Sequence, residues 1–244
     1  MSVHPIFSRR LTPDTVVNID TFNNYFYFNS KSQDIFNHKL PKEFIADCAE
    51  SRFTATTKES VTFGLTITYA CNLSCRYCYQ QHNRVLKKRP ISMHELEYIF
   101  QVIEKYHQIK SEYAIDILLF GGEPLLPANQ PVVDAVIDFC KKNAFPLSII
   151  SNGIELPLYY KKLIVNRSII RDVSVSIDSL QNNELSRAWA IKPSVLTDRQ
   201  KNSAKRLLES VDILLSYGVN VLVSTSFDES NITSLQSMYE YINK

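Results

Sequence analysis

Five short apolar runs separated by helical patterns confine this chain to a small set of folds. The runs occupy residues 63–69, 115–120, 147–150, 173–177 and 219–226. Between them apolar residues recur at helical spacing. Ser92 with Glu95 forms a capping-box pair at the head of a stripe of Met93, Leu96, Phe100, Ile103 and Tyr106. Val133, Val136, Ile137 and Cys140 mark a second stripe, which makes Cys140 a core residue. Leu207, Leu208, Val211, Leu214 and Leu215 mark a third, closed by Gly218, and Ile232, Leu235, Met238, Tyr239 and Ile242 a fourth. Strands rich in Val, Ile and Leu with helices between them predict a parallel sheet, whose faces the crossover helices cover. Right-handed crossovers wrap such a sheet into a doubly wound layer or a barrel.

The polar residues at the strand ends carry the next inference. The first run leads into a cysteine loop, the second into Gly121-Gly122-Glu123-Pro124, and the third into Ser151-Asn152-Gly153. The fourth ends in Ser176 and Asp178, the fifth in Ser224-Thr225-Ser226. All five unusual loops fall at C-terminal strand ends, the rim on which barrel enzymes build their sites. Of the 5 glycines in the chain, three stand in these loops, where adjacent glycines let a backbone approach a ligand closely.

The cysteine loop is Cys71-Asn-Leu-Ser-Cys75-Arg-Tyr77-Cys78, three of five cysteines within eight residues. Three clustered thiolates hold three irons of a 4Fe–4S cluster and leave the fourth iron open for chemistry. The competing reading is structural zinc, with His82 completing Cys71, Cys75 and Cys78. Zinc modules mostly split their ligands into two distant pairs, which this run does not, so the cluster is preferred. Cys48 and Cys140 lack partner-like spacing, so all five thiols read as reduced and the chain as cytoplasmic. At 244 residues, 45% hydrophobic and 21% charged, the chain has the material for one sizeable core. A net charge of +2 gives no sign of a nucleic-acid surface, and no stretch has the apolar length of a membrane span.

The C-x3-C-x2-C spacing, with aromatics flanking the last cysteine, resembles the radical SAM enzymes. Phe120-Gly-Gly-Glu-Pro124 is similar to that family's GGE motif. The resemblance implies that this motif's backbone and Glu123 hold the methionine amino group of S-adenosylmethionine. Ser151-Asn-Gly153 resembles the T-N-G of the peptide-modifying (SPASM-type maturase) branch, and Ser176-Ile-Asp178 its S-I-D stretch, which implies contacts to the ribose and methionine of the cofactor. On the same resemblance Tyr77 packs on adenine and Arg187 meets the methionine carboxylate. Each has a plainer reading: Tyr77 as a core aromatic, Arg187 as a solvated arginine at a helix start. Cys71, Cys75 and Cys78 are the implied cluster ligands, with S-adenosylmethionine as second cofactor, and no residue is assigned a catalytic role.

The expected fold is α/β, a partial parallel (β/α) barrel of radical SAM type spanning residues 61–244. It is shortened to about five units where six are usual, and no cysteine after Cys140 remains for the branch's C-terminal auxiliary clusters. A partner or second copy is then expected to close the open barrel edge. Residues 1–60 form a strand-rich lead-in, with a hairpin of residues 16–20 and 25–28 and a short helix over 41–48. This segment reads as a cap or as a leader-peptide binder. The basic run Arg84, Lys87, Lys88 and Arg89 is a solvated face or a dock for a flavodoxin- or ferredoxin-type electron donor. The implied reaction is hydrogen abstraction from a peptide or protein. The alternatives are a radical SAM enzyme acting on a small molecule and a non-catalytic member serving as a binding or assembly partner.

Overall fold

The computed structural model describes residues 6–12, 15–20, 25–30, 60–80, 90–180, 187–188, 190, 203–226 and 237. The chain divides into two compact units, Met1–Thr57 and Lys58–Lys244. In the first unit, β1 (Ile6–Thr12), β2 (Thr15–Asp20) and β3 (Tyr25–Ser30) form an antiparallel sheet in the order β1-β2-β3. Asp20 pairs with Tyr25 across the hairpin of β2 and β3. The sequence reading finds that hairpin but not β1, whose Arg9-Arg10 interrupts any apolar alternation. The helix expected over 41–48, together with Cys48, His82, the basic run at 84–89 and the stripe residues Ile232, Leu235, Met238, Tyr239 and Ile242, lies outside the described residues.

The second unit holds β4 (Ser60–Thr66), α1 (Met93–Ile109), β5 (Ala114–Phe120), α2 (Gln130–Asn143), β6 (Leu147–Ser151), α3 (Leu156–Val165), β7 (Ile170–Ser176), α4 (Ser203–Ser216) and β8 (Val221–Ser224). The five strands lie in sequence order, every neighbouring pair parallel. This is the α/β partial barrel expected.

Local chemistry sets the helix ends. Ser92 Oγ accepts from Glu95 N at 3.2 Å and Glu95 Oε2 from Ser92 N at 2.7 Å, closing the capping box at the head of α1. Ala144, in the left-handed conformation at φ 55°, ends α2. The sequence reading marks no helix at α3. Its signal is short, Pro157 in the first turn and the apolar spacing Leu156, Tyr159, Leu163, all buried.

Ile115, Ile117 and Leu119 of β5, Leu147 and Ile149 of β6, and Val173 and Val175 of β7 join one apolar cluster with Leu96, Ile103, Val136, Leu163, Leu207 and Val211 from the four helices. Each such buried aliphatic contributes about 1.5–3 kcal/mol. The Phe100 and Phe139 rings stack at 4.0 Å and tie α1 to α2. Cys140 is fully buried within this core, as expected. Met93 and Leu215, counted in the sequence stripes, are exposed instead.

Strand side chains alternate between faces, so the residues between those core positions share the opposite face. There Gly64 pairs with Leu118, Leu118 with Ser148, Ser148 with Asp172, Ile150 with Ser174, and Ser176 with Ser224. Ser148 Oγ donates to Asp172 Oδ2 at 2.8 Å. The register shows small and polar residues between the aliphatic ones, because β6 and β7 alternate Ser and Asp with Val and Ile.

Candidate active site at the rim of the sheet

The lead into the cysteine loop is shaped by what it meets. The sequence suggests a strand through residue 69, but β4 ends at Thr66, where its partner β5 runs out at Phe120. Beyond it the chain stays extended enough that Thr68 O accepts from Gly122 N and Ala70 O from Glu123 N, both at 2.8 Å. The two glycines are therefore required by the protein's own backbone. A Cβ on Gly122 would stand 2.2 Å from Ala70 O, and one on Gly121, at φ 149°, 2.5 Å from Thr68 O. Their expected role was to admit a ligand; the close approach they permit here is between the Gly-Gly-Glu loop and the cysteine loop.

Glu123 locks a third loop into the same assembly. Its carboxylate is fully buried. Oε1 accepts from Leu125 N and Ser151 Oγ at 2.8 Å each, and Oε2 from Asn152 N at 2.7 Å. Burial pushes its pKa up to about 7, against the three hydrogen bonds and the attraction of Arg187, which pull it down. Asn129 donates to the Glu123 and Pro124 carbonyls at 3.0 Å each and fixes the far side of the loop. The side chain expected to receive a cation thus spends both oxygens on joining the Gly-Gly-Glu and Ser-Asn-Gly loops.

The Ser-Asn-Gly loop in turn reaches the first cysteine. Asn152 Nδ2 donates to Asn72 Oδ1 at 2.7 Å and to Cys71 Sγ at 3.6 Å, while Leu73 N donates to the same sulfur at 3.3 Å. Gly153, at φ 77°, leaves no room for a Cβ against Leu207 and Val175.

A second group closes the other side of the cysteine loop. Ser74 N donates to Ala188 O at 2.6 Å and Ala190 N to Asn72 O at 3.0 Å, so the segment after Arg187 runs beside the loop. Tyr77 OH donates to Asp178 Oδ2 at 2.6 Å, and Arg187 Nη1 donates to the Tyr77 oxygen at 2.7 Å. Arg187 is only 8% exposed and lies 3.8 Å from Asp178 Oδ1. The solvated reading of Arg187 is overturned. Burial alone would lower its pKa; its electrostatic interactions with Cys75, Tyr77 and Asp178, together with the hydrogen bond to Tyr77, outweigh burial and raise it. The sequence reading named Tyr77, Asp178 and Arg187 separately and had no signal for their contact, which joins positions up to 110 residues apart. Ser176, at the end of β7, is half-buried beside them in sequence.

The residues fit an iron–sulfur cluster by the chemistry of the donor set. Cys71, Cys75 and Cys78 carry no disulfide, and two N–H groups already point at one sulfur, as an anionic thiolate requires. Among the described residues no three His, Cys, Asp or Glu side chains close on one point as the ligands of a single ion do. In a cluster each thiolate takes a different iron, so its cysteines need not converge in that way. A cavity of about 480 Å³ lies elsewhere, between Thr66–Tyr69 and His94, Glu95 and Tyr98 of α1. None of the three rim loops contributes to it beyond that lead-in.

Comparison with known proteins decides the family, since the Radical SAM superfamily profile matches residues 65–242. The chain belongs to the radical SAM superfamily. Members use a 4Fe–4S cluster and S-adenosylmethionine, and they need an electron donor and a substrate. An uncharacterized protein, MJ0907 of Methanocaldococcus jannaschii, is 26% identical over 73% of this chain and 57% of its own length. An S-adenosylmethionine-dependent nucleotide dehydratase of a Fibrobacter species is 28% identical over 69% of this chain and 48% of its own. Among solved structures, native anSMEcpe with bound AdoMet superposes with a TM-score of 0.57 at 19% identity, over 75% of this chain and 48% of that one. Its form with AdoMet and the Kp18Cys peptide gives the same TM-score. The chain spans about half the length of the curated relatives it matches. Among the described residues no helix is long and apolar enough to cross a membrane.

Proposed function

We propose that this protein is a radical SAM enzyme that abstracts hydrogen from a peptide or protein substrate. The observation that carries the reading is the hydrogen-bonded union, on one rim of the parallel sheet, of the cysteine, Gly-Gly-Glu and Ser-Asn-Gly loops. Cys71, Cys75 and Cys78 would hold the cluster. The Gly121–Glu123 backbone with Pro124, together with Ser151, Asn152, Ser176, Asp178 and Arg187, would hold S-adenosylmethionine, with Tyr77 toward its adenine. When bound, these cofactors supply reductive cleavage to a 5′-deoxyadenosyl radical, which takes a hydrogen atom from the substrate.

The chain's own residues bind and orient. The buried Glu123 brace keeps two of the loops at fixed separation, and the Tyr77–Asp178–Arg187 contact holds the third against the end of β7. Arg187 Nε is buried with no protein partner, which suits it to receive an anionic group of a ligand. A peptide substrate is supported by the likeness of Ser151-Asn-Gly153 and Ser176-Ile-Asp178 to the peptide-modifying branch. A nucleotide substrate is the second reading, favoured by the similarity to the nucleotide dehydratase. Residues 1–60 serve as a separate cap or peptide-binding lead-in to the barrel of residues 61–244. The donor is of flavodoxin or ferredoxin type, docking on the run from Arg84 to Arg89, and a partner or second copy closes the open edge of the barrel.

The test is made on anaerobically purified, iron-reconstituted protein reduced with dithionite. Addition of S-adenosylmethionine should yield 5′-deoxyadenosine, and Cys75→Ala should abolish it. Deuterium transfer to 5′-deoxyadenosine from labelled peptides, and not from labelled nucleotides, would separate the two substrate readings. Stoichiometric zinc with no iron uptake would sink the proposal.

A further inference from the structure

The side chain of Asn152 carries the Ser-Asn-Gly loop to the cysteine loop, and the contact ends on sulfur. Asn152 is 6% exposed. Its amide orientation follows from its neighbours, because Ile154 N donates to Oδ1 at 3.0 Å. That leaves Nδ2 as the end facing Asn72 Oδ1 and Cys71 Sγ. One amide hydrogen goes to each. The Cys71 thiol also points its own S–H toward Asn72 Oδ1, at 4.0 Å. As a metal-bound thiolate Cys71 would lose that hydrogen and become purely an acceptor, keeping the Leu73 N–H at 3.3 Å and the Asn152 amide.

We propose that Asn152 is a positioning residue for the cluster: it holds Cys71 in place and donates an N–H···S hydrogen bond that raises the cluster's reduction potential. The inference rests on the radical SAM reading above and gives Asn152 a task on the cluster side of the site. Hydrogen bonds to ligand sulfur are among the factors that set iron–sulfur potentials. Reduction adds negative charge that spreads onto the sulfurs, so a donor stabilises the reduced state more than the oxidised one. The Asn152 main-chain N–H, which braces Glu123, is a separate contact that side-chain substitution leaves in place.

Two substitutions separate this role from a structural one. Asn152→Asp keeps the shape and the acceptor for Ile154 N, but turns an oxygen toward Asn72 Oδ1 and Cys71 Sγ. Asn152→Ala removes donor and acceptor together without adding repulsion. The potential, measured by EPR-monitored redox titration of the reconstituted protein, should fall in the order Asn, Ala, Asp. A folded Asp variant that holds no iron while the Ala variant holds it is the extreme form of the same order. A purely structural side chain gives the other order, with Asp close to the parent and Ala displaced, and that result overturns the proposal. In the unsubstituted protein, asparagine labelled with 15N in its side-chain amide should give a nitrogen hyperfine coupling at the reduced cluster, and its absence also overturns it. Equal potentials in all three proteins, with 5′-deoxyadenosine formed by the unsubstituted protein, remove this inference alone. Absence of any cluster in the parent removes it together with the proposed function.

Discussion

Tyr77 and Asp178, 101 residues apart, are joined by a hydrogen bond of 2.6 Å, and Arg187 donates to the same phenol oxygen. Tyr77 is 43% exposed and so is no core aromatic. Desolvation at its phenol end, opposed by Arg187 and reinforced by Asp178, nevertheless holds the phenol above its ordinary pKa, so Tyr77 remains a donor throughout the physiological range. Tyr77→Phe keeps the ring and deletes the bridge. We expect a stability loss of about 1–2 kcal/mol, read from urea unfolding of the cofactor-free protein. A midpoint indistinguishable from that of the parent would mean the bridge contributes nothing.

Gly122→Ala places a methyl against the Ala70 carbonyl, and a backbone atom cannot swing aside as a side chain can. The expected cost is about 3 kcal/mol, read as a lowered thermal midpoint before any cofactor is added. Gly218→Ala is the control. No atom lies near its added Cβ, so it pays only the strain of a left-handed backbone at φ 75°. Equal losses in the two variants would remove the packing argument.

Glu123 predicts a pH dependence with a definite sign. Its folded pKa of about 7 lies above the ordinary 4.5, so between these values the folded protein retains a proton that the unfolded chain has released. The group's stabilising contribution is complete below about pH 4.5 and is lost as the pH rises toward 7. In Glu123→Gln the unfolding free energy should show a flatter slope across that window. Parallel slopes in the two proteins would refute the assignment.

Cys140 and the loop cysteines should differ in reactivity. Burial pushes the Cys140 thiol up to about 12, and the side chain is fully buried, whereas Cys71 and Cys78 are only part-buried. Brief alkylation of the folded, iron-free protein at neutral pH should label Cys78 and spare Cys140. Mass mapping that finds both labelled at similar rates would contradict this.

What could be read from the sequence was whatever short-range chemistry decides. The capping box of Ser92 and Glu95 needs only three-residue spacing, and the β5 run 115–120 needs only its own apolar residues. The end of β4 has no local signal, because Ile67 and Tyr69 continue the alternation; what stops the ladder is Gly121 leaving β5, a fact about another strand. The same holds in the site. The three cysteines are visible as a motif, but the inward turn of Glu123 and the burial of Arg187 depend on Ser151, Asn152, Tyr77 and Asp178 arriving from distant positions. Those contacts have no local signature.

The blocked space behind Gly122 also bears on how such a chain would age. Because the glycine pair answers to the Thr68 and Ala70 carbonyls, selection for folding alone would preserve it even in a descendant that had abandoned its chemistry. The cysteine sulfurs answer to the metal as well as to their neighbours in the fold, so with the chemistry gone their identity would be the first to drift. In this lineage a surviving Gly-Gly pair would record only ancestry, and the state of Cys71, Cys75 and Cys78 would record whether the trade was still being practised.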